Sequence, residues 1–172
     1  MRTVRFRHSA PGNMVLDPAI DAVEGSLQSL RFRIRSGSSA NLRYTIESSL
    51  ARQGWSGRVR IAPKSALTLT GMRGRTALCI QTGNMARSYA DLLKLQAFFV
   101  NARIDQAVYL IPTKKAARTL GQNIANFERF TSELANQWSK VITVPIIVIG
   151  FEDNPEAGDK DDHTPIDPSA AA

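Results

Sequence analysis

Residues 77–84 read ALCIQTGN, an apolar run that ends in a polar turn. Such a run, stopped by glycine and asparagine, predicts a buried strand that leads into a turn. It contains the only cysteine of the chain, Cys79, two residues before Gln81. Side chains two positions apart on a strand point to the same face. The stretch therefore places a thiol beside an amide, and a nucleophile, a metal site and a small core residue are the open interpretations.

Cys79 is predicted to be a small core residue. A cysteine nucleophile needs a neighbouring base, and the two histidines, His8 and His163, lie near the two ends of the sequence. A single cysteine also excludes an internal disulfide and a zinc site built from several thiolates. Because this cysteine usage is typical of a reducing compartment, we expect a cytoplasmic protein.

The segments around this stretch predict an α/β domain. Apolar residues recur at helical spacing in four segments, and alternating or continuous apolar runs predict the strands. Apolar strands covered by helices on both faces indicate a mixed sheet whose parallel part is buried. The predicted helices are about 18–30, 41–52, 86–101 and 123–138, the predicted strands are 3–7, 58–61, 66–70, 75–82, 106–111 and 144–151, a hairpin turn is predicted at 71–74, and 113–120 is a loop or a short helical turn.

The composition indicates one soluble domain followed by an acidic tail. The chain has 172 residues, 43% of them hydrophobic, and no apolar run reaches the length of a membrane span. Residues 152–172 lack aromatic side chains and are rich in Asp, Pro and Ala, which predicts disorder. We therefore expect a domain over 1–151, a disordered acidic tail over 152–172 and no membrane partner.

The charge is distributed unevenly between these two parts. Residues 1–151 carry 21 Lys and Arg against eight Asp and Glu, a net charge of +13, whereas 152–172 carry seven acids against Lys160. Arginine predominates among the basic residues, and its planar fork suits phosphate and the edge of guanine. A body this basic favours a polyanionic partner, of which nucleic acid is the expected one.

Three stretches resemble the BglII-type branch of restriction endonucleases, within the PD-(D/E)XK nuclease superfamily. They read CIQTGNMARSYADLLKLQAFF (79–99), DQAVYLIPTKKAARTLGQNIANFERF (105–130) and VITVPIIVIGFE (141–152). The resemblance covers roughly residues 58–151 and is strongest at 79–112. It implies a restriction-endonuclease-like mixed β-sheet flanked by helices. It also implies a homodimer that cleaves double-stranded DNA with Mg²⁺.

The site pattern of that branch is Asp, eight residues, Glu, one residue, Gln. By this resemblance Gln81 falls on the glutamine, Cys79 on the glutamate and Thr70 on the aspartate. Thiol and hydroxyl groups are poor magnesium ligands compared with carboxylates. Between residues 59 and 94 the only acid is Asp91. The predicted hairpin therefore lacks the carboxylates that the resemblance calls for.

Three functional interpretations follow. The protein is predicted to bind DNA with cleavage impaired or lost. Alternatively, it is an active magnesium-dependent endonuclease in which Gln81 works with acids from the leading helices, Glu24 and Glu47, or with Asp91. The third interpretation is a protein-interaction module, a regulatory or immunity partner that kept the scaffold. Mg²⁺ is the expected cofactor only in the second case.

Seven basic residues are predicted to contact DNA. Arg87 opens the helix after the turn at 83–84, where free N–H groups attract anions. Three more follow the strand 106–111, at the end where a nuclease of this kind meets DNA. Lys94 stands three residues after Asp91 on a helix, so a surface ion pair is its alternative role. The predicted contacts are Arg73, Arg75, Arg87, Lys94, Lys114, Lys115 and Arg118.

Overall fold

The computed structural model describes residues 1–9 and 18–154. Residues 155–172 of the predicted tail lie outside the described residues, whereas Glu152 ends the last strand and Asp153 accepts the backbone N–H of Ile34 at 3.0 Å. The elements are β1 (Arg2–His8), α1 (Pro18–Ser29), α2 (Ser39–Ala51), β2 (Val59–Arg60), β3 (Thr68–Leu69), β4 (Gly71–Arg73), β5 (Thr76–Ile80), α3 (Met85–Val100), β6 (Gln106–Pro112), α4 (Lys114–Leu120), α5 (Phe127–Asn136) and β7 (Ile146–Glu152).

A five-stranded mixed sheet forms the centre of the domain, in the order β1–β7–β6–β5–β4. The three central strands run parallel, and the edge strands β1 and β4 run antiparallel to their neighbours. Every residue of β6 is buried, as expected for a central strand with both faces covered. A separate two-stranded sheet pairs β2 with β3. The predicted α/β class, with a mixed sheet flanked by helices, is confirmed.

Each face of the sheet carries its own hydrophobic core, because side chains alternate along strands. Leu78 and Ile80 of β5 belong to the core that includes α1 and α2, whereas Ala77 and Cys79 belong to the core that includes α3 and α5. The first four residues of the stretch 77–84 therefore face the two cores in alternation. This explains why the run is apolar.

The hairpin differs from the prediction in the position of its turn. The predicted turn 71–74 is wrong, because Gly71–Arg73 is itself strand β4 and pairs with β5. The chain reverses around Gly74, whose φ of +56° suits glycine. Strand β3 pairs with β2 instead of β5. Thr70 joins β3 to β4, and its N–H bonds to the carbonyl oxygen of Leu78 at 3.1 Å.

Side-chain caps fix the first turns of three helices beside the carboxyl ends of β5 and β6. Asn84, Thr113 and Asn126 each accept a backbone N–H at the start of α3, α4 and α5. The segment 113–120, predicted as a loop or a short helical turn, is helical, and Thr113 caps its first turn. The predicted helix 123–138 begins only at Phe127, because Asn126 caps it. Within residues 1–9 and 18–154, no helix has both the length and the apolar character to cross a membrane.

Candidate functional site

An open cleft of about 380 Å³ lies at the carboxyl end of β5, between α2, α3 and the connection from β3 to β4. Thr70 and Gln81 both line this cleft, and the antiparallel pairing of β4 with β5 continues to Thr70, whose N–H bonds to the carbonyl oxygen of Leu78. Four cationic side chains and one carboxylate line this first cleft: Arg43, Arg58, Arg87, Lys94 and Asp91.

Gln81 faces the first cleft and bonds to the acid that α3 supplies. Its Nε2 donates to Oδ2 of Asp91 at 3.0 Å, and its Oε1 accepts the N–H of Gly83 at 2.8 Å. The hydroxyl of Tyr109 donates to the same Asp91 oxygen at 3.3 Å, while Lys94 pairs with Oδ1. The side chains of Asp91 and Lys94 are 13% and 14% exposed, so this ion pair is largely buried rather than on the surface. Both oxygens of Asp91 are therefore engaged.

Cys79 lies beneath the floor of this cleft. It is 1% exposed and belongs to the core that includes α3. Burial first, and then the nearby carboxylate of Asp91, raise the pKa of the thiol well above its ordinary value, although Lys94 and Arg43 oppose the rise. The thiol is held in its neutral form, which is a poor nucleophile. This position agrees with the predicted role of a small core residue.

Arg43 of α2 reaches across to the end of the hairpin. Its Nε donates to Oε1 of Glu47 at 2.7 Å, one turn along the same helix. Its Nη1 donates to the carbonyl oxygen of Ile80 at 2.8 Å, and its Nη2 donates to the hydroxyl of Thr70 at 3.1 Å. The Thr70 hydroxyl also accepts the N–H of Ile80 at 3.1 Å. One guanidinium thus connects α2 to Thr70, where the site pattern calls for an acid, and to the backbone of Ile80, the residue after Cys79.

The two helix acids proposed from the sequence lie in different places. Glu47 reaches this region through Arg43. Glu24 of α1 instead accepts from the Thr3 hydroxyl at 2.8 Å and pairs with Arg5, both on β1. Strand β1 is the edge of the sheet opposite β4. The structure therefore brings Glu47 close to the hairpin and does not bring Glu24 there.

The donors of the first cleft do not suit Mg²⁺. Magnesium prefers hard oxygen ligands, usually with one or two carboxylates among them. Here Lys94 pairs with Asp91, and Arg43 pairs with Glu47. Across residues 1–9 and 18–154, no group of three or more His, Cys, Asp or Glu side chains is placed to hold a metal. No magnesium-dependent step follows from this geometry.

A second cleft, of about 560 Å³, adjoins the first at the same edge of the sheet. The two are neighbours because the loop after β5 contacts the segment 121–126, where the N–H of Ala125 bonds to the carbonyl oxygen of Gly83 at 2.7 Å. Lys114 and Arg118 of α4 line the second cleft. Four of the predicted DNA contacts thus share this edge, and they are Arg87, Lys114, Lys115 and Arg118.

The remaining predicted contacts lie elsewhere or are engaged. Lys94 pairs with Asp91 and donates to the carbonyl oxygen of Thr68 at 2.9 Å. Arg73 and Arg75 flank the turn at the other end of the hairpin, roughly 15 Å from the first cleft along the strand. Arg75 makes two bonds of 2.7 Å to Asp105.

Two cations of the first cleft, Arg43 and Arg58, are not among the site residues predicted from the sequence. The sequence holds one signal for Arg43, since Arg43 and Glu47 stand four residues apart on a predicted helix, a spacing that favours an ion pair. Which face of that helix meets the hairpin depends on packing between distant segments. Arg58 precedes the short strand β2 and carries no comparable signal.

The fold is similar to solved structures of the restriction endonuclease BglII. The structure of BglII complexed with a DNA 16-mer aligns with a TM-score of 0.79 at 12% identity, covering 91% of this chain and 80% of that chain. The structure of free BglII aligns with a TM-score of 0.69 at 16% identity, covering 91% and 82%. At these identities the likeness concerns the fold, and the predicted restriction-endonuclease-like architecture is confirmed. No curated protein matches the chain in sequence.

The family is shown by the sequence itself. Residues 15–151 match the family model of the restriction endonucleases BglII and BglIII. The match spans most of the 172 residues and includes the hairpin, the first cleft and the four basic residues at the carboxyl ends of β5 and β6. It confirms the resemblance that the stretches around Gln81 indicate. The chain belongs to the BglII/BglIII restriction endonuclease family.

Proposed function

We propose that this protein binds double-stranded DNA along the carboxyl edge of its sheet and does not cleave it by magnesium-dependent hydrolysis. The observation that carries the proposal is the charge of the first cleft, which is lined by four cationic side chains and a single carboxylate. Cationic groups attract the phosphate backbone of any sequence. A magnesium site needs the opposite balance, because its ligands supply the negative charge that holds the ion.

Two further observations support DNA as the partner. The protein belongs to a family of restriction endonucleases, and BglII has been solved in complex with a DNA 16-mer. Residues 1–151 carry a net charge of +13, and Arg87, Lys114, Lys115 and Arg118 are exposed on the edge that holds both clefts. An exposed basic edge of this kind steers a polyanion towards the cleft.

Salt-dependent binding tests which end of the sheet meets DNA. In fluorescence anisotropy with a short labelled duplex, the logarithm of the affinity should fall linearly with the logarithm of the salt concentration. Arg87→Met and Arg118→Met should each reduce the slope by about 1, because each removes a phosphate contact. The matched control is Arg75→Met, which removes the same charge at the opposite end, where Arg75 pairs with Asp105.

Three results would count against this assignment. A slope that changes only with Arg75→Met would place the interface at the turn of the hairpin. An unchanged slope in all three variants would show that neither Arg87 nor Arg118 contacts a DNA phosphate. Weak binding that does not respond to salt would refute DNA as the partner and favour the protein-interaction module.

Cleavage is tested on a long phage DNA that contains many sequences. With Mg²⁺ or Mn²⁺ the DNA should stay intact, because the carboxylates near Gln81 are paired with cations. Discrete fragments that disappear in Asp91→Asn or Glu47→Gln would establish an active endonuclease with a rebuilt site. Glu24→Gln is the control, since Glu24 bonds to Thr3 of β1, the outer strand on the side of the sheet away from the hairpin.

The homodimer implied by the resemblance remains a prediction. We propose it as the DNA-binding form, because the resemblance implies a homodimer and a twofold-symmetric protein can present the same basic residues to both halves of a duplex. Light scattering of the protein, alone and with a short duplex, measures the mass directly. A mass of two chains in the complex is expected, and a single chain per duplex would contradict the dimer.

A further inference from the structure

The position of Arg43 has a consequence for metal binding. Its guanidinium bonds to three kinds of oxygen at once: the Glu47 carboxylate, the Ile80 carbonyl and the Thr70 hydroxyl. Carboxylate, carbonyl and hydroxyl oxygens are hard donors of the kind that a divalent cation gathers around itself. In this protein the three donors already surround a positive charge.

We infer that Arg43 is a built-in cation that takes the place of a divalent metal at the end of the hairpin. The inference deepens the proposed function, on which it rests only for the statement that the first cleft faces DNA. A phosphate entering this cleft then meets a guanidinium instead of a metal. Its binding does not require a divalent ion.

The guanidinium is well suited to this position. The guanidinium of arginine is a permanent cation in proteins. Its fork is rigid, and the three bonds to Glu47, Ile80 and Thr70 fix its orientation against both α2 and the hairpin. A divalent ion would have to displace all three bonds and then lie beside a like charge, which is unfavourable in a cleft that is partly shielded from water.

The acids around this position are consistent with a filled cation site. Glu47, which Arg43 links to the Thr70 hydroxyl, is one turn from Arg43 on α2, a spacing that holds the pair together. Asp91, on the other side of β5, is paired with Lys94. Each carboxylate within reach of the hairpin thus has its own side-chain cation.

Calorimetric titration of the free protein with Mn²⁺ tests this inference without DNA. Thr70→Asp restores a carboxylate beside the Ile80 carbonyl, but Arg43 should neutralise it, and Mn²⁺ binding should stay weak. Adding Arg43→Met should strengthen Mn²⁺ binding by about tenfold or more, because the new carboxylate, Glu47 and the Ile80 carbonyl are released together. The matched control adds Arg52→Met instead. Arg52 is exposed at the end of α2 and carries the same charge.

The inference is overturned by any of three outcomes. The first is that Thr70→Asp alone binds Mn²⁺ as tightly as the double variant with Arg43→Met. The second is that the Arg52→Met control gains as much affinity, which would make the effect one of total charge. The third is that Mn²⁺ selectively broadens the amide NMR signals of Ile80 and Gln81 in the unaltered protein, which would show metal at the hairpin with Arg43 in place.

Folding of the variants is checked by thermal unfolding. Should Arg43→Met fail to fold, Arg43→Gln keeps an amide donor for the Ile80 carbonyl while removing the charge, and it is expected to give the same gain with Thr70→Asp. Because the titration uses no DNA, its failure leaves the DNA-binding proposal standing. A failure of DNA binding equally leaves the result on Arg43 intact.

Discussion

At the scale of single residues, Asp91 holds together the floor of the first cleft. It accepts from Gln81 and Tyr109 and pairs with Lys94, whose side chain is 14% exposed. We predict that Asp91→Asn lowers the free energy of unfolding by about 2–3 kcal/mol, because it leaves a largely buried ammonium without its counter-ion. Equilibrium unfolding in denaturant measures the change.

The control for this prediction is Asp105→Asn. It breaks the ion pair between Asp105 and Arg75, whose side chains are 58% and 55% exposed. Exposed pairs contribute little to stability, because both charges remain hydrated when separated. The loss should therefore be clearly smaller than for Asp91→Asn. Equal losses in the two variants would contradict the buried character of the Asp91–Lys94 pair.

We predict that His8 makes the free energy of unfolding depend on pH. Its side chain is buried, and its Nε2 donates to the carbonyl oxygen of Ile142 at 2.6 Å. Burial lowers the pKa of His8 below its ordinary value of 6.5, and the bond to Ile142 opposes part of that shift. The unfolded chain therefore takes up a proton at a higher pH than the folded protein. Stability that is present above pH 6.5 is lost as the pH falls towards the lowered pKa.

The measurement is the free energy of unfolding at a series of pH values from neutral to mildly acidic. The curve should fall with pH in the unaltered protein, and His8→Gln should flatten that part of it. Parallel curves for the two proteins would exclude His8 as the cause.

Some features of the site follow from the sequence and others do not. That Cys79 and Gln81 share a strand face follows from the alternation of side chains along any strand, and the absence of hairpin acids is visible in the sequence. The role of Arg43 is not visible in the sequence, because it depends on how α2 packs against a hairpin that begins almost 30 residues later. Local patterns do not encode such long-range contacts.

At the scale of elements, strand β7 tests how tightly the layers pack. A Cβ atom on Gly150 would lie 2.7 Å from Cγ1 of Val4 and 2.8 Å from the ring of Phe127. We predict that Gly150→Ala lowers the free energy of unfolding by about 1–3 kcal/mol, because the ring of Phe127 is buried in a packed core and cannot move aside, although Val4 is 42% exposed and has room to shift. Thermal unfolding measures the change.

Gly25→Ala is the matched control for this prediction. Gly25 lies inside α1, is exposed, and has no neighbouring atom within 4 Å of the position of an added Cβ. Alanine at a helix interior should raise the free energy of unfolding by up to about 1 kcal/mol. The two substitutions add the same atoms and are expected to have opposite effects. A stabilising Gly150→Ala would contradict the packing of β7 between β1 and α5.

The elements also show where sequence patterns mislead. The apolar runs identify β5, β6 and β7, because these strands are buried on both faces. The two glycines at 71 and 74 suggest one turn, yet Gly71 begins a strand. Strand β4 pairs with β5 on one side and bonds to a distant residue on the other, where the N–H of Met72 donates to the hydroxyl of Ser56 at 2.9 Å. The wrong turn thus reflects a contact that local patterns do not contain.

At the scale of the whole molecule, the topology explains why the basic residues meet. The central strands are parallel, so their carboxyl ends lie at one edge, together with the starts of the helices that follow β5 and β6. The α/β class and the parallel centre follow from the order of apolar strands and helices. The place of β1 beside β7 does not follow from that order, because this pairing joins Arg2 to Glu152 from opposite ends of the described chain.

We propose that the protein binds double-stranded DNA through cationic side chains without a divalent metal. The most direct test is duplex affinity measured at constant ionic strength, once with EDTA and once with Mg²⁺, with the DNA recovered afterwards and sized. Equal affinities in the two buffers, a steep loss of binding with added salt and intact DNA are the predicted result. Binding that requires Mg²⁺, or DNA recovered as discrete fragments, would contradict it.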